Sequence, residues 1–139
     1  MATAEAPARS KGLHIALWVV QVLLGLMFAF AGATKAFSPF ESLADRMPWT
    51  VAVGVGMTRF IGLSELLGGI GLIVPAATRI MPKLTAAAGA GLALVMVLAA
   101  GFHVMRGEFA ALPINLVLAG LAAFVAWGRA TKAPITPRG

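Results

Sequence analysis

The chain has 139 residues, of which 60% are hydrophobic and only 12% are charged. Water-soluble domains carry about 25% charged residues, so this composition argues against a soluble fold. Cysteine is absent, which excludes structural disulfides, dithiol chemistry and thiolate ligands for iron–sulfur clusters.

The apolar residues are grouped into four long blocks that follow a small, polar N-terminal segment. Each block has about the 20 residues that a helix needs to cross a hydrocarbon core of about 30 Å. Backbone groups in lipid must be satisfied within the segment, which favours helices. We therefore predict an all-α polytopic membrane protein, with four transmembrane helices in an antiparallel bundle. The expected parts are a mobile cytoplasmic N-terminus at 1–12, a transmembrane domain at 13–128 with helices at about 13–36, 51–74, 84–105 and 111–128, and a cytoplasmic tail at 129–139.

The first block also has features of a cleaved signal peptide. Arg9 and Lys11 precede it, and Ala31-Gly32-Ala33 has the small-x-small form of a cleavage site. Its apolar stretch is longer than the core of about 7–15 residues that is typical of such signals. We therefore expect the block to be retained as the first helix.

The segments between the blocks predict how the helices connect. The first loop, from Phe37 to Thr50, is the longest, and segments of this kind often form a short amphipathic helix at the interface. Pro75 and Pro82 are expected to close the helices on either side of the second loop. The third loop, residues 106–113, is short enough to force an antiparallel hairpin.

The net charge of +6 is explained by its distribution over the two membrane faces. Four crossings place the N-terminus, the second loop and the C-terminus on one side, where most of the basic residues lie. The basic residues of that side are Arg9, Lys11, Arg79, Lys83, Arg129, Lys132 and Arg138, against Lys35, Arg46 and Arg106 on the other. This positive-inside bias predicts an inner-membrane protein with both termini in the cytoplasm. Contact with the lipid bilayer then accounts for the basic residues, and no nucleic-acid partner is expected.

Each predicted helix has a stripe of small residues that also carries polar side chains. Positions separated by four and then three residues share one helical face. The stripes are Gln21, Gly25, Phe28, Gly32 and Lys35; Thr58, Gly62, Glu65 and Gly69; Gly89, Leu92, Met96, Ala99 and His103; and Asn115, Ala119, Ala122 and Ala126. Small residues allow transmembrane helices to approach closely, so we expect these stripes to face the bundle interior.

The polar residues of these stripes converge at one depth. Glu65 lies near the bilayer centre, and a rise of about 1.5 Å per residue places Arg59 roughly 9 Å nearer the non-cytoplasmic side. Lys35, His103 and Asn115 reach about the same level as Arg59. Charges at this depth cost several kcal/mol, which favours a specific polar site over a purely architectural network.

Other interpretations of these residues stay open. Lys35 is equally explained by snorkelling to the interface. His103 is explained as a packing residue, and Asn115 as an interhelical hydrogen-bonding residue. Arg59 and Glu65 are turned about 120° from each other on a helix, so we expect no direct pair between them. Arg59 then bonds across to another helix, to a lipid phosphate or to a bound anion. Glu65 then either meets Lys35 or His103, or it is protonated.

Metal and haem chemistry is not predicted. The chain has two histidines, His14 and His103, which the topology places near opposite membrane faces. They cannot ligate one haem iron within a subunit. One histidine and one glutamate would also supply too few ligands for a metal ion.

Three stretches together resemble the DoxX-like membrane proteins. They are AGATKAF at the end of the first helix, TRFIGLSELLGGIGLIVP in the second, and the third helix with its histidine. The most specific element is R-x-x-G-x-x-E-x-x-G, and the resemblance covers roughly 13–129. It implies four transmembrane helices and marks Lys35, Arg59, Glu65 and His103. The family name comes from a subunit of a thiosulfate:quinone oxidoreductase, so any redox role rests on analogy.

Three functions compete at this point. The first is a small subunit of a membrane redox system that binds a quinone or a small anion, with no covalently bound cofactor and any electron-transfer centre in a partner. The second is a structural or assembly subunit whose polar layer only locks the bundle. Both imply other membrane subunits or a homo-oligomer. The third, a permease with Glu65 as coupling site, is the least favoured because four helices are few for transport.

Overall fold

The computed structural model describes residues 10–138, which are helical almost throughout. The helices are α1 (Lys11–Phe37), α2 (Phe40–Arg46), α3 (Trp49–Thr78), α4 (Lys83–Met105) and α5 (Leu112–Trp127). A 3-10 turn at Phe109–Ala111 leads into α5, and a π-helical turn at Gly128–Lys132 continues it. Within the described residues, α1, α3, α4 and the segment Phe109–Lys132 are long and apolar enough to cross a membrane. The predicted four-helix membrane fold is therefore confirmed.

The helix α1 begins earlier than the sequence suggested. Ser10 is its N-cap, because the Ser10 hydroxyl oxygen accepts a hydrogen bond of 3.3 Å from the Leu13 N–H. Lys11 and Gly12, which were expected in the mobile N-terminal segment, belong to the first turn of α1. Residues 1–9 of that segment lie outside the described residues.

The helix α3 does not end at residue 74 as expected, but continues through Pro75 to Thr78. Pro75 has no N–H to donate to the carbonyl of Gly71. The Gln21 side-chain amide donates to the neighbouring Leu72 carbonyl at 2.7 Å. This hydrogen bond joins α1 to α3 beside the proline, and it is made to Leu72 and not to Gly71.

A kink at Gly54 separates the first turn of α3 from the rest of the helix. Gly54 has φ 87° and ψ 169°, a conformation that is essentially restricted to glycine. The Thr58 hydroxyl donates to the Gly54 carbonyl at 2.8 Å, so one side chain satisfies this backbone group at the kink. The kink gives the turn that carries Trp49 a different direction from the remainder of α3.

Glycines bring α1 and α3 into close contact along their length. A β-carbon at Gly62 would lie 2.5 Å from the Ala36 nitrogen and 2.8 Å from the Gly32 carbonyl oxygen. A β-carbon at Gly69 would lie 2.6 Å from both the Ala29 nitrogen and the Gly25 carbonyl oxygen. Only glycine fits at such backbone-to-backbone distances, which confirms the predicted packing of the small-residue stripes on these two helices.

The helices α3, α4 and α5 pack tightly in the half of the bundle where α3 ends and α4 begins, which we call the closed half. There Gly68 faces the Leu92 side chain, and Gly71 faces Ala88. A β-carbon at Gly89 of α4 would lie 2.8 Å from the Ala122 carbonyl oxygen on α5. The opposite half, where α1 and α4 end, is called the cavity half below.

Apolar side chains form one core between the four long helices and also cover the outside of the bundle. The core cluster consists of Leu24, Phe28, Leu72, Leu92, Met96, Ala119, Ala122 and Val125. Large apolar side chains such as Phe30, Leu67 and Leu94 are more than half exposed on the outer faces. In a bilayer these outer faces contact lipid, as expected for helices that span it.

The segment predicted as a cytoplasmic tail, 129–139, begins with a turn that packs against the bundle. The π-helical turn carries Arg129 back into the bundle, where this residue is only 4% exposed. Further along, the Arg138 N–H donates to the Arg79 carbonyl at 2.8 Å. This contact places the C-terminal segment at the same end of the molecule as the α3–α4 connection.

Candidate functional site

Lys35 and Glu65 form an ion pair inside the cavity half. The Lys35 Nζ atom lies 2.7 Å from Glu65 Oε2, and the two side chains are 14% and 3% exposed. Lys35 stands in the last turn of α1 and Glu65 in the middle of α3, on helices that the contact between Gly32 and Gly62 holds together. The pair carries no net charge, which lowers the cost of placing each ion away from water.

Arg59 bonds across to another helix, which is one of the three arrangements that the sequence left open. Its Nη1 atom donates to the Lys35 carbonyl at 3.0 Å and to the Ser38 carbonyl at 2.6 Å. Carbonyls in the last turn of a helix lack partners within the helix and carry partial negative charge, so a guanidinium stabilises them. Arg59 therefore caps the C-terminal end of α1 and does not line the cavity described below.

His103 is linked to a charged pair in the loop after α4. Its Nδ1 atom lies 3.2 Å from Glu108 Oε1, and the same oxygen accepts a hydrogen bond of 2.7 Å from the Arg106 Nε. Hydrogen bonds from Arg106 first and His103 second hold the pKa of the partly exposed Glu108 below its usual value. An ionised Glu108 favours the tautomer with the proton on Nδ1 of His103, and this leaves Nε2 as the acceptor.

A cavity of about 500 Å³ lies between α3 and α4 in the cavity half. Its polar lining consists of Lys35, Ser64, Glu65, His103 and Asn115, and the other lining residues are apolar or aromatic. The Lys35 Nζ also lies 6.0 Å from the centre of the Trp49 ring, which lines the same space. A mostly apolar cavity with a few convergent polar groups is typical of sites for small molecules.

Asn115 lines the cavity, and its side-chain amide has no partner in the described part of the chain. Its side-chain nitrogen is buried and makes no hydrogen bond among residues 10–138. A buried amide without a partner costs about 1–3 kcal/mol. Asn115 is thus not explained by an interhelical hydrogen bond.

The structure brings together four of the five residues that the sequence suggested as a site. Lys35, Glu65, His103 and Asn115 all line the cavity, and they come from four different helices. Arg59 is the exception, because its guanidinium turns to the end of α1. Sequence reasoning missed Glu108, which was counted only as a loop charge, although its position five residues after His103 was visible.

A second polar cluster lies at the opposite end of the bundle. The Arg129 Nε donates to Gln21 Oε1 at 2.6 Å, and its Nη1 atom donates to the Ala133 carbonyl at 2.8 Å. The same Nη1 atom lies 2.9 Å from His14 Nδ1, which must be the acceptor because arginine has only donors. The guanidinium also stacks over the Trp18 ring at 5.5 Å. Gln21 was the one sequence signal for this cluster, since it already belonged to the inward stripe of α1.

The histidines and acidic residues in the described part of the chain do not form a metal site. Among residues 10–138 there is no group of three or more histidine, aspartate or glutamate side chains that could hold a metal ion. His14 belongs to the Arg129 cluster and His103 to the cavity wall, near opposite ends of the bundle.

Comparison with known proteins gives one result. The family model described as the DoxX-like family matches residues 19–125, which include the whole of α3 and α4 and most of α1 and α5. No curated protein and no solved structure matches the chain.

Proposed function

The chain belongs to the DoxX-like family of membrane proteins, and we propose that it binds a quinone in its intramembrane cavity as a small subunit of a membrane redox system. The observation that carries this proposal is the chemistry of the cavity lining. It combines apolar walls, one electrically neutral ion pair and a buried amide donor without a partner. A quinone head is a flat apolar ring with two carbonyl acceptors, which suits such a site.

The charges in the cavity favour a neutral ligand over a small anion. Lys35 is neutralised by Glu65 at 2.7 Å, and Arg59 is engaged by two backbone carbonyls outside the cavity. An anion would therefore enter a low-dielectric space without a cation to balance it, at a cost of several kcal/mol. A quinone enters without this penalty.

Two side chains are placed to hold the ligand's oxygens. We propose that the Asn115 side chain, whose buried amide has no other partner among the described residues, turns toward the ligand and donates a hydrogen bond to one carbonyl oxygen. His103, whose Nδ1 atom is held by Glu108, presents Nε2 as the acceptor for a hydroxyl when the ligand is in its hydroquinone form. The Lys35–Glu65 pair then provides a polar contact at the base of the cavity.

Tryptophan fluorescence offers a direct test in lipid nanodiscs. Trp49 lines the cavity, whereas Trp18 and Trp127 lie toward the opposite end of the bundle. A benzoquinone with a ten-carbon tail should quench the Trp49 component at micromolar concentrations, and Trp49→Phe should remove that component. Thiosulfate, the alternative ligand, should leave the emission unchanged.

The matched control for this test is a pair of asparagine variants. Asn115→Leu removes the amide donor and should weaken quinone binding about tenfold, which corresponds to about 1.4 kcal/mol. Asn115→Asp keeps the shape but offers no amide. Saturable quenching that is equal in wild type and in both variants would contradict the proposed site.

We also propose the inner membrane as location, with both termini on the cytoplasmic side. The support is the charge bias of the loops, together with the Arg138–Arg79 contact that groups the C-terminal segment with the basic α3–α4 connection. Because the chain has no cysteine, single cysteines at Ser42 and Thr131 can be labelled selectively from outside intact cells. Ser42 should react and Thr131 should not.

A structural or assembly subunit is the second candidate. The observation that favours it is the contact of Arg59, on α3, with the C-terminal end of α1. Arg59 is used for helix capping, and the ion pair also joins α1 to α3. In that case the partner would be another membrane subunit or a further copy of the chain. Native mass spectrometry separates the two: a protein partner without a small-molecule adduct supports assembly, and a quinone adduct supports binding.

A further inference from the structure

We infer that the cavity opens sideways into the lipid between α3 and α4, and that its ligand is an amphiphile whose apolar tail stays in the bilayer. This inference rests on the proposed function of the cavity as a binding site. The inference adds to the proposed function the side from which the ligand enters the cavity. It also requires that the ligand carry an apolar tail.

The cavity lining includes side chains that face the membrane. Met57 and Phe60 on α3 are 50% and 66% exposed, and Leu98 on α4 is 64% exposed. Side chains that line a cavity and are also this exposed mark its mouth. Leu98 lies seven residues before the end of α4, so the mouth is about 10 Å inside that end, at hydrocarbon depth.

The other directions are covered by protein. Met47 and Trp49, which follow α2, line the cavity at its outer end and are only partly exposed. Toward the closed half, α3 and α4 come together, because Gly68 contacts the Leu92 side chain and Gly71 faces Ala88. The two helices are therefore in close contact at one end and apart at the other, and this divergence leaves a cleft on the lipid side.

The position of the polar groups sets the orientation of the ligand. Lys35 and Asn115 come from α1 and α5, the two helices that do not frame the mouth. A ligand that enters between α3 and α4 thus meets apolar walls first and polar groups at the back. Its polar head must lead, and its apolar remainder lies at the mouth against Phe60 and Leu98.

The test compares two quinone probes with the same ring. One carries an isoprenoid tail, and the other has no tail and is water-soluble. Leu98→Trp fills the mouth, while Val97→Trp is the matched control, because Val97 is 55% exposed on the same helix but does not line the cavity. Binding is measured as the retained adduct in native mass spectrometry of lipid nanodiscs.

We expect Leu98→Trp to weaken binding of the tailed quinone about tenfold or more. Binding of the tail-less ring should change little, which also demonstrates that the variant is folded. Val97→Trp should bind both probes as wild type does. A tailed quinone with a photoreactive diazirine in its tail should label Phe60 and Leu98.

Two outcomes overturn the inference in distinguishable ways. If wild type binds both probes, but Leu98→Trp weakens the binding of neither and the label falls on residues 37–50, the ligand enters from the aqueous side and only the membrane mouth is refuted. If wild type binds neither probe, the proposed quinone function fails, and the mouth fails with it.

Discussion

The closed half and the cavity half of the bundle both contain buried charged groups, but these groups have different surroundings. In the closed half, Arg129 donates to Gln21 and to the Ala133 carbonyl while stacking over Trp18. In the cavity half, Lys35 and Glu65 neutralise each other at the edge of a cavity of about 500 Å³. The comparison teaches that burial of a charge in a membrane helix does not by itself indicate a ligand site. The open space beside the charge is the distinguishing feature.

The ion pair of the cavity half gives the largest expected effect. Lys35→Ala leaves the Glu65 carboxylate, which is 3% exposed, without its cation, and should destabilise the fold by about 3–5 kcal/mol. Replacing both residues at once by Met and Leu should restore most of the stability but not the quinone binding. Unfolding in SDS and the binding assay, applied to both variants, separate the two effects. Equal stability of wild type and Lys35→Ala would show that the pair is not formed.

A substitution in the Arg129 cluster should lower the stability of the fold without changing the affinity for quinone. Arg129→Met removes hydrogen bonds from a charged donor to Gln21 and Ala133, at an expected cost of about 1.5–3 kcal/mol in stability. Quinone affinity should stay unchanged, because this cluster lies at the other end of the bundle from the cavity. Lys132→Met, one turn further and exposed, is the control and should be neutral. If Arg129→Met lowered the quinone affinity but not the stability, the result would contradict the separation of this cluster from the cavity.

The glycine contact of α1 with α3 should matter less than either charged group. Gly62→Ala places a β-carbon 2.5 Å from the Ala36 nitrogen, and the helices must separate at a cost of about 1–3 kcal/mol. Gly56→Ala on the same helix meets open space and is the matched control. Since separation of α1 and α3 also moves Lys35 away from Glu65, Gly62→Ala should weaken quinone binding. Thermal unfolding in detergent measures the stability of both variants.

The smallest effect is a pH dependence at the rim of the cavity. The pKa of Glu108 is lowered by Arg106 and His103, so its ionised form stabilises the folded loop. This contribution is fully present above the ordinary carboxyl value of 4.5 and is lost as the pH falls through the lower folded value. The melting temperature of Glu108→Gln should therefore lie slightly below that of wild type at neutral pH and converge with it in acid. A constant difference at every pH would refute the ionic contribution.

Much of the candidate site was predictable, because helical periodicity converts sequence spacing into shared faces. The stripes placed Gly25, Gly32, Gly62 and Gly69 on inward faces, and in the structure these glycines lie where α1 contacts α3. Depth counting brought Lys35, His103 and Asn115 to one level, and all three line the cavity. Arg59 reached that level too, but counting along a helix gives the position of a backbone and not the direction of a long side chain.

The helix ends were less predictable, since they depend on partners far away in the sequence. Pro75 was expected to end its helix, but Gln21, which is distant in the chain, donates to the carbonyl next to the one that proline leaves without a donor. Arg129 was assigned to the tail, and no local pattern reveals its contact with Gln21.

The sequence by itself determined that the chain is a four-helix membrane protein and which face of each helix turns inward. Hydrophobic length and the period of the small residues are local properties that lipid selects directly. Only the tertiary structure decided which polar groups neutralise each other, which close a helix end and which border an empty space. These outcomes depend on where α3 and α4 diverge, which is on the N-terminal side of Gly68 along α3, where the cavity lies between them.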